Sequence, residues 1–104
     1  MMKIATVALA SGSGAQTNTA LIAADTARQL RVFGVYASSD AQIVLTLENS
    51  AGHEDLYIQY LAADGGQVNV SPHMPFILPT WGEGLDYTTS GAANLWITIL
   101  YDFA

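Results

Sequence analysis

"LAADGGQVNV", Leu61 to Val70, decides the fold class, because Asp64, Gly65 and Gly66 tolerate the positive φ angles of a tight turn while apolar residues alternate into and out of them. The stretch predicts two β-strands joined by a hairpin around Gly65. "YASSDAQIVLTL" repeats the pattern, with Ser38, Ser39 and Asp40 between two apolar runs, and "TTSGAANLWITIL" repeats it around Ser90 and Gly91. Three such hairpins in succession predict an all-β antiparallel sandwich or barrel.

Working outward, Ile43, Leu45 and Leu47 alternate with Val44, Thr46 and Glu48, and "EDLYIQYLA" sets Leu56, Ile58 and Tyr60 against Tyr57, Gln59 and Leu61. In "LRVFGVYAS" the alternation puts Leu30, Val32 and Tyr36 on one face and Arg31, Phe33 and Val35 on the other, so both faces are apolar. "LDYTT" and "ANLWITILYDF" supply two more strands. Between them "SPHMPFILPTWGEG" carries Pro72, Pro75 and Pro79, which forbid regular pairing inside a sheet and predict a long ordered loop or an edge segment. Residues 19–29 fit a short strand, favoured by Thr17 and Thr19, or an Ala-rich helix with Leu21, Ala24 and Arg28 at helical spacing. With a first strand from Lys3 to Ala10 the count is about eight. The small polar tract Ser11 to Thr19 reads as a flexible arm, so that residues 1–19 are a strand plus arm on one domain spanning 1–104.

Composition narrows the function. Hydrophobic residues make up 51% of the chain, ample for a core, while only 12% are charged, about half the usual fraction. Uncharged surface in that amount predicts burial against other chains. No apolar run approaches the roughly 20 residues of a spanning helix, and no membrane partner is expected. Three basic against nine acidic residues give a net charge of −6, which argues against nucleic acid as a partner. There is no cysteine, hence no disulfide or thiolate metal site. The start "MMKIATVALASGSGA" imitates a signal peptide, but Thr6 interrupts a short apolar run and a first strand is the better reading.

The residues that could carry chemistry are scattered. His53 and His73 are isolated in turn sequence. "HED", His53 to Asp55, reads as a solvated hairpin tip rather than a metal site, since neighbouring strand residues point to opposite faces. No serine sits in a nucleophile motif, and "SGSG" and "GEG" lack the lysine and helix of a phosphate cradle, so they read as flexible turns. The expectation is a protein that is not an enzyme and takes no cofactor. Trp81 in "PTWGEG" is either an anchor of a core or seam or a platform for a sugar ring.

In order, "LRVFGVYASSDAQIVLTL", "YLAADGGQVNV" and "GEGLDYTTSGAANLWITILYD" resemble a small β-sandwich family of tailed-phage structural proteins. The match lies at Leu61 to Gly66, Trp81 and Gly82 to Ala92; the three-proline segment departs from the family's shorter turn. The resemblance implies a jelly-roll-like fold and a virion location on the capsid surface. It also implies a decoration or cement protein that binds the major capsid protein of the assembled shell, usually as a homotrimer. On that reading Lys3, Ile4, Thr6, Gln16 and Asn18 are the expected capsid contacts, and Phe76, Trp81, Trp96 and Leu100 the expected subunit interface. A rival reading is a glycan-binding tail-fibre or baseplate module using Trp81, Asp86 and Tyr87. A sugar-modifying enzyme would need paired carboxylates or metal histidines that the sequence does not group.

Overall fold

The computed structural model describes residues 3–9, for 6–9 the backbone alone, together with 14–71 and 73–104. Eight strands follow one another: β1 (Lys3–Leu9), β2 (Thr19–Ile22), β3 (Leu30–Ser39), β4 (Ile43–Asn49), β5 (Asp55–Leu61), β6 (Gly65–Val70), β7 (Leu85–Thr89) and β8 (Leu95–Phe103). There is no helix among the described residues. Of residues 19–29 only Thr19–Ile22 form a strand, β2, and 23–29 are a turn-containing connection; Ile22 gains burial in the core and β2 gains a ladder with β7, which together outweigh a helix propensity of tenths of a kcal/mol per residue.

The strands form two antiparallel four-stranded sheets, in the order β1-β8-β3-β6 (sheet A) and β2-β7-β4-β5 (sheet B). Strand 1 lies beside 8, 2 beside 7, 3 beside 6 and 4 beside 5, which is the jelly-roll order of two interlocked Greek keys. This order changes what the three expected hairpins are. The Gly65 turn forms, with Asp64 at φ 54° and the Gly65 N–H donating to the Ala62 carbonyl at 3.1 Å. Yet β5 and β6 belong to different sheets, as do β3 and β4, and β7 and β8. All three turns therefore carry the chain across the sandwich rather than back along its own ladder. Among the described residues the consecutive strands that pair with each other are β4 and β5, joined through "SAGHE" with His53 at φ 54°.

The gap between the sheets is filled by Val32, Leu45, Leu47, Tyr87, Ile97, Ile99 and their buried neighbours. Each such aliphatic side chain contributes roughly 1.5–3 kcal/mol, far more than any surface ion pair. At the open side, where edge strands β5 and β6 meet, the filling turns polar. Gln59 donates to Gln67, and Asn69 donates to the Tyr57 hydroxyl and to Gln59.

The expected faces of β3 need one correction. Leu30 and Val32 point inward, but the pairing with β8 slips between Val32 and Gly34, so that two β3 residues oppose one step of β8. This bulge reverses the alternation. Val35 and Ala37 become the inward residues and Tyr36 turns out to solvent, opposite to the side it would share with Leu30 in an unbroken strand. Phe33 lies outside the core cluster, beneath the Arg31 guanidinium at 5.6 Å.

The proline segment is an ordered loop. Pro72 lies outside the described residues; beyond it Ile77 is buried and forms a single bridge to Val32, whose N–H donates to the Ile77 carbonyl at 3.0 Å. Asn49, 1% exposed, ties this loop to the β4–β5 turn: its Oδ1 accepts from the Thr80 N–H at 2.8 Å and its Nδ2 donates to Glu54 at 3.2 Å.

Candidate assembly surface

The outer face of sheet A is the most distinctive surface. The registers stack its outward residues in rows across the strands: Trp96, Ser38 and Gly66; then Thr98, Tyr36 and Val68; then Ile4, Leu100, Gly34 and Val70. None of these ten residues is charged. Ile4, Val68 and Trp96 are 68%, 62% and 54% exposed, and Tyr36 and Val70 are also open to solvent, so among the described residues the face is apolar and exposed on each of its four strands. A contiguous apolar patch of a few hundred Å² is about the largest that a typical monomer carries, and such patches are often functional.

Gly34 shapes the middle of the face. A Cβ there would lie 3.1 Å from the Leu100 Cβ and 3.3 Å from the Tyr36 ring, so the missing side chain lets these two neighbours close over the backbone. Where the rows end, charge returns as a neutral pair: Arg31 forks onto Asp102 at 2.8 and 2.7 Å. The hydrogen bonds from Arg31 hold the Asp102 carboxyl below its ordinary value. At the opposite end Asp40 accepts from the Asn94 N–H at 2.7 Å and from its amide at 2.6 Å, fastening the β3–β4 and β7–β8 crossings together.

The acidic residues gather on sheet B and its ends. Glu48 and Asp86 face each other across β4 and β7, Thr88 donates to Glu48 at 2.6 Å, and His53 Nδ1 lies 3.9 Å from Asp86. Burial, reinforced by the charge of Glu48 and opposed by His53, pushes the Asp86 carboxyl above its ordinary value. Among the described residues no three His, Asp or Glu side chains converge to hold a metal ion. No protein-family model, curated protein or solved structure matches the chain.

The residues singled out from the sequence fall in different places. Ile4, Trp96 and Leu100 come together on the sheet A face. Lys3 begins the same edge strand and is exposed; the Thr6 backbone pairs with Thr98, and its side chain lies outside what is described. Gln16 and Asn18 belong to the edge of sheet B, where their N–H groups donate to the hydroxyls of Thr89 at 2.8 Å and Thr88 at 3.0 Å, so this part of the arm is fastened to β7. Phe76 packs its ring 5.9 Å from Tyr57. Trp81 is 60% exposed in a turn whose Gly82 N–H donates to the Arg28 carbonyl, at the end of the sandwich away from Trp96.

The trio Trp81, Asp86 and Tyr87 does not assemble. Tyr87 is 1% exposed and points into the core, while Asp86, its neighbour on β7, points to the other side of the sheet. Two groups of residues escaped sequence reading. Tyr36, Val68 and Val70 were legible as one side of two-sided apolar strands, but only the strand order brings them next to Trp96. Gly84, inside "GEG", has the sequence of a flexible turn, yet a Cβ there would meet the Ile22 carbonyl oxygen at 2.1 Å, so glycine is required by close backbone approach.

Proposed function

We propose that this chain is a structural protein of a tailed-phage virion, a non-enzymatic decoration protein that binds the assembled shell as a homo-oligomer and stabilises it. The observation that carries the reading is the charge-free, apolar outer face of sheet A. A surface of that kind works by being covered by protein, not by turning over a small molecule. The low charge fraction and the successive blocks that resemble the phage sandwich family support the same reading.

The mechanism is mass action. A protein that binds the assembled shell but not its separated subunits stabilises assembly by RT ln(1 + [L]/Kd), about 2.7 kcal/mol per site at a hundredfold excess over Kd. Joined copies multiply weak contacts through effective concentration. The proposed shell contacts are Lys3, Ile4 and Thr6 on the edge of sheet A with Gln16 and Asn18 on the neighbouring edge of sheet B. Co-sedimentation of the purified protein with empty, undecorated capsids tests this. Saturable pelleting is expected; protein that stays in the supernatant at every ratio removes the shell from the proposal.

A further inference from the structure

We infer that the outer face of sheet A is closed by a second copy of this chain, packed sheet against sheet about a twofold axis. This does not depend on the shell reading, since it concerns what two copies do in solution.

Charge selects the occupant. The chain carries a net charge of −6, and none of its nine acidic residues lies in the three rows of the face; Asp102, in the next row, is neutralised by Arg31. Two copies of an acidic protein repel unless they meet through a surface free of charge, and this face is such a surface. A basic partner would instead be drawn to the acidic residues of sheet B and the sandwich ends.

Shape points the same way. An isologous contact needs a projection and a recess on one face, because each copy must supply both. Trp96 stands out from β8, and beside it the small residues Ser38 and Gly66 floor a trough of about 220 Å³ bounded by Tyr36 and Val68. The trough takes a large side chain from the facing copy, and Trp96 is the one placed to supply it.

Area sets the strength. Four strands spaced about 4.8 Å apart, over rows covering roughly 17 Å of strand, give a face on the order of 300 Å² in projection. Two such faces with their rims bury less than the roughly 1,200 Å² at which stable standard interfaces begin. The pair should therefore form reversibly, with a Kd in roughly the micromolar range, and fill only where copies are concentrated.

Sedimentation velocity over a concentration series tests the inference, using the full chain and two variants at the middle row, Thr98→Asp and Thr98→Lys. A twofold that covers the face brings like charges at this position together. Wild type should pass from monomer to dimer with rising concentration, and each variant should stay monomeric. An equimolar mixture of the two should dimerise again, because opposite charges then meet. If either variant fails to melt like wild type, Val68→Asp and Val68→Lys on the exposed edge strand serve the same purpose. A wild type that is monomeric throughout, or a dimer indifferent to these charges, overturns the proposal. Shell pelleting that is lost in Thr98→Asp while wild type is monomeric gives the face to the capsid protein instead.

Discussion

Gly84→Ala adds one methyl group at the place where the β2–β3 connection crosses the start of β7. Its carbon would lie 2.1 Å from the Ile22 carbonyl oxygen, 2.8 Å from the Ala24 nitrogen and 2.9 Å from the Ala23 carbonyl carbon, where ordinary contact begins at 3.4 Å. All three neighbours are backbone, so no side-chain rotation relieves the clash. The chain must separate by more than 1 Å, which opens the pairing of Ile22 with Leu85 and loosens a side chain that is now buried. Overpacking against a rigid neighbour costs about 3 kcal/mol. Misplacing the Gly84 N–H that donates to the Ser50 hydroxyl at 2.8 Å adds about 1 kcal/mol. At roughly 4–8 °C per kcal/mol for a domain of this size, the melting temperature followed by circular dichroism should fall by at least about 16 °C. Gly91→Ala is the control, because its nearest neighbour would be the Ile43 methyl at 3.9 Å; it should stay within about 1 kcal/mol of wild type. A Gly84→Ala melt within about 4 °C of wild type refutes the close approach of the β2–β3 connection to the backbone leading into β7.

Asp86→Asn should raise the melting temperature at neutral pH. The folded-state pKa of Asp86 lies above its unfolded value, so ionisation costs stability above that pKa and the cost fades as pH falls through it; the variant's advantage should shrink on acidification, and a constant advantage from neutral to acid would exclude a titrating origin. Asp102 has the opposite sign: its lowered pKa gives stability that is complete above the unfolded value of about 3.9 and is lost as pH falls through the folded pKa. Arg31→Ala should flatten that acid limb in a pH series of melts. Trp81→Ala should hardly move the melting temperature, because the indole is mostly exposed, and should weaken attachment to capsids by roughly 2 kcal/mol if the loop is a contact; equal pelleting of variant and wild type takes Trp81 off the contact surface. Capsids saturated with the protein should also disrupt at a higher temperature than bare ones, and coincident transitions would count against any stabilising role.

The strands were legible because the period-two alternation of segments such as Ile43 to Leu47 and Leu95 to Phe103 reports burial directly. What alternation does not report is which strand lies alongside. The turns at Gly65, Ser39 and Ser90 look like hairpin turns because the backbone conformations that reverse a ladder also carry a chain over the rim of a sandwich. The β3 faces went astray for a related reason. A bulge at Phe33 leaves only a glycine as its local sign, and it is the register with β8 that exposes Tyr36. The assembly surface was half visible: Ile4, Trp96 and Leu100 were singled out separately, but their adjacency is a product of strand order alone. Gly84 was invisible, since the atoms that forbid a side chain there lie some sixty residues earlier in the chain.

The position of β8 has a consequence for biosynthesis. It follows the other seven strands in the chain, yet it sits inside sheet A between β1 and β3. As the polypeptide leaves the ribosome, β1 waits through the synthesis of everything up to Leu95 without its partner, and β3 can pair only with β6. The β4–β5 hairpin can form early, but sheet A closes in one late step. Nascent chains arrested before Leu95 should therefore be open to protease along β1 and β3, and protection should arrive abruptly once Phe103 has cleared the exit tunnel. Until that moment the rows that set Tyr36 beside Thr98 and Ser38 beside Trp96 do not exist, so the proposed pairing of faces waits for each chain to close on itself.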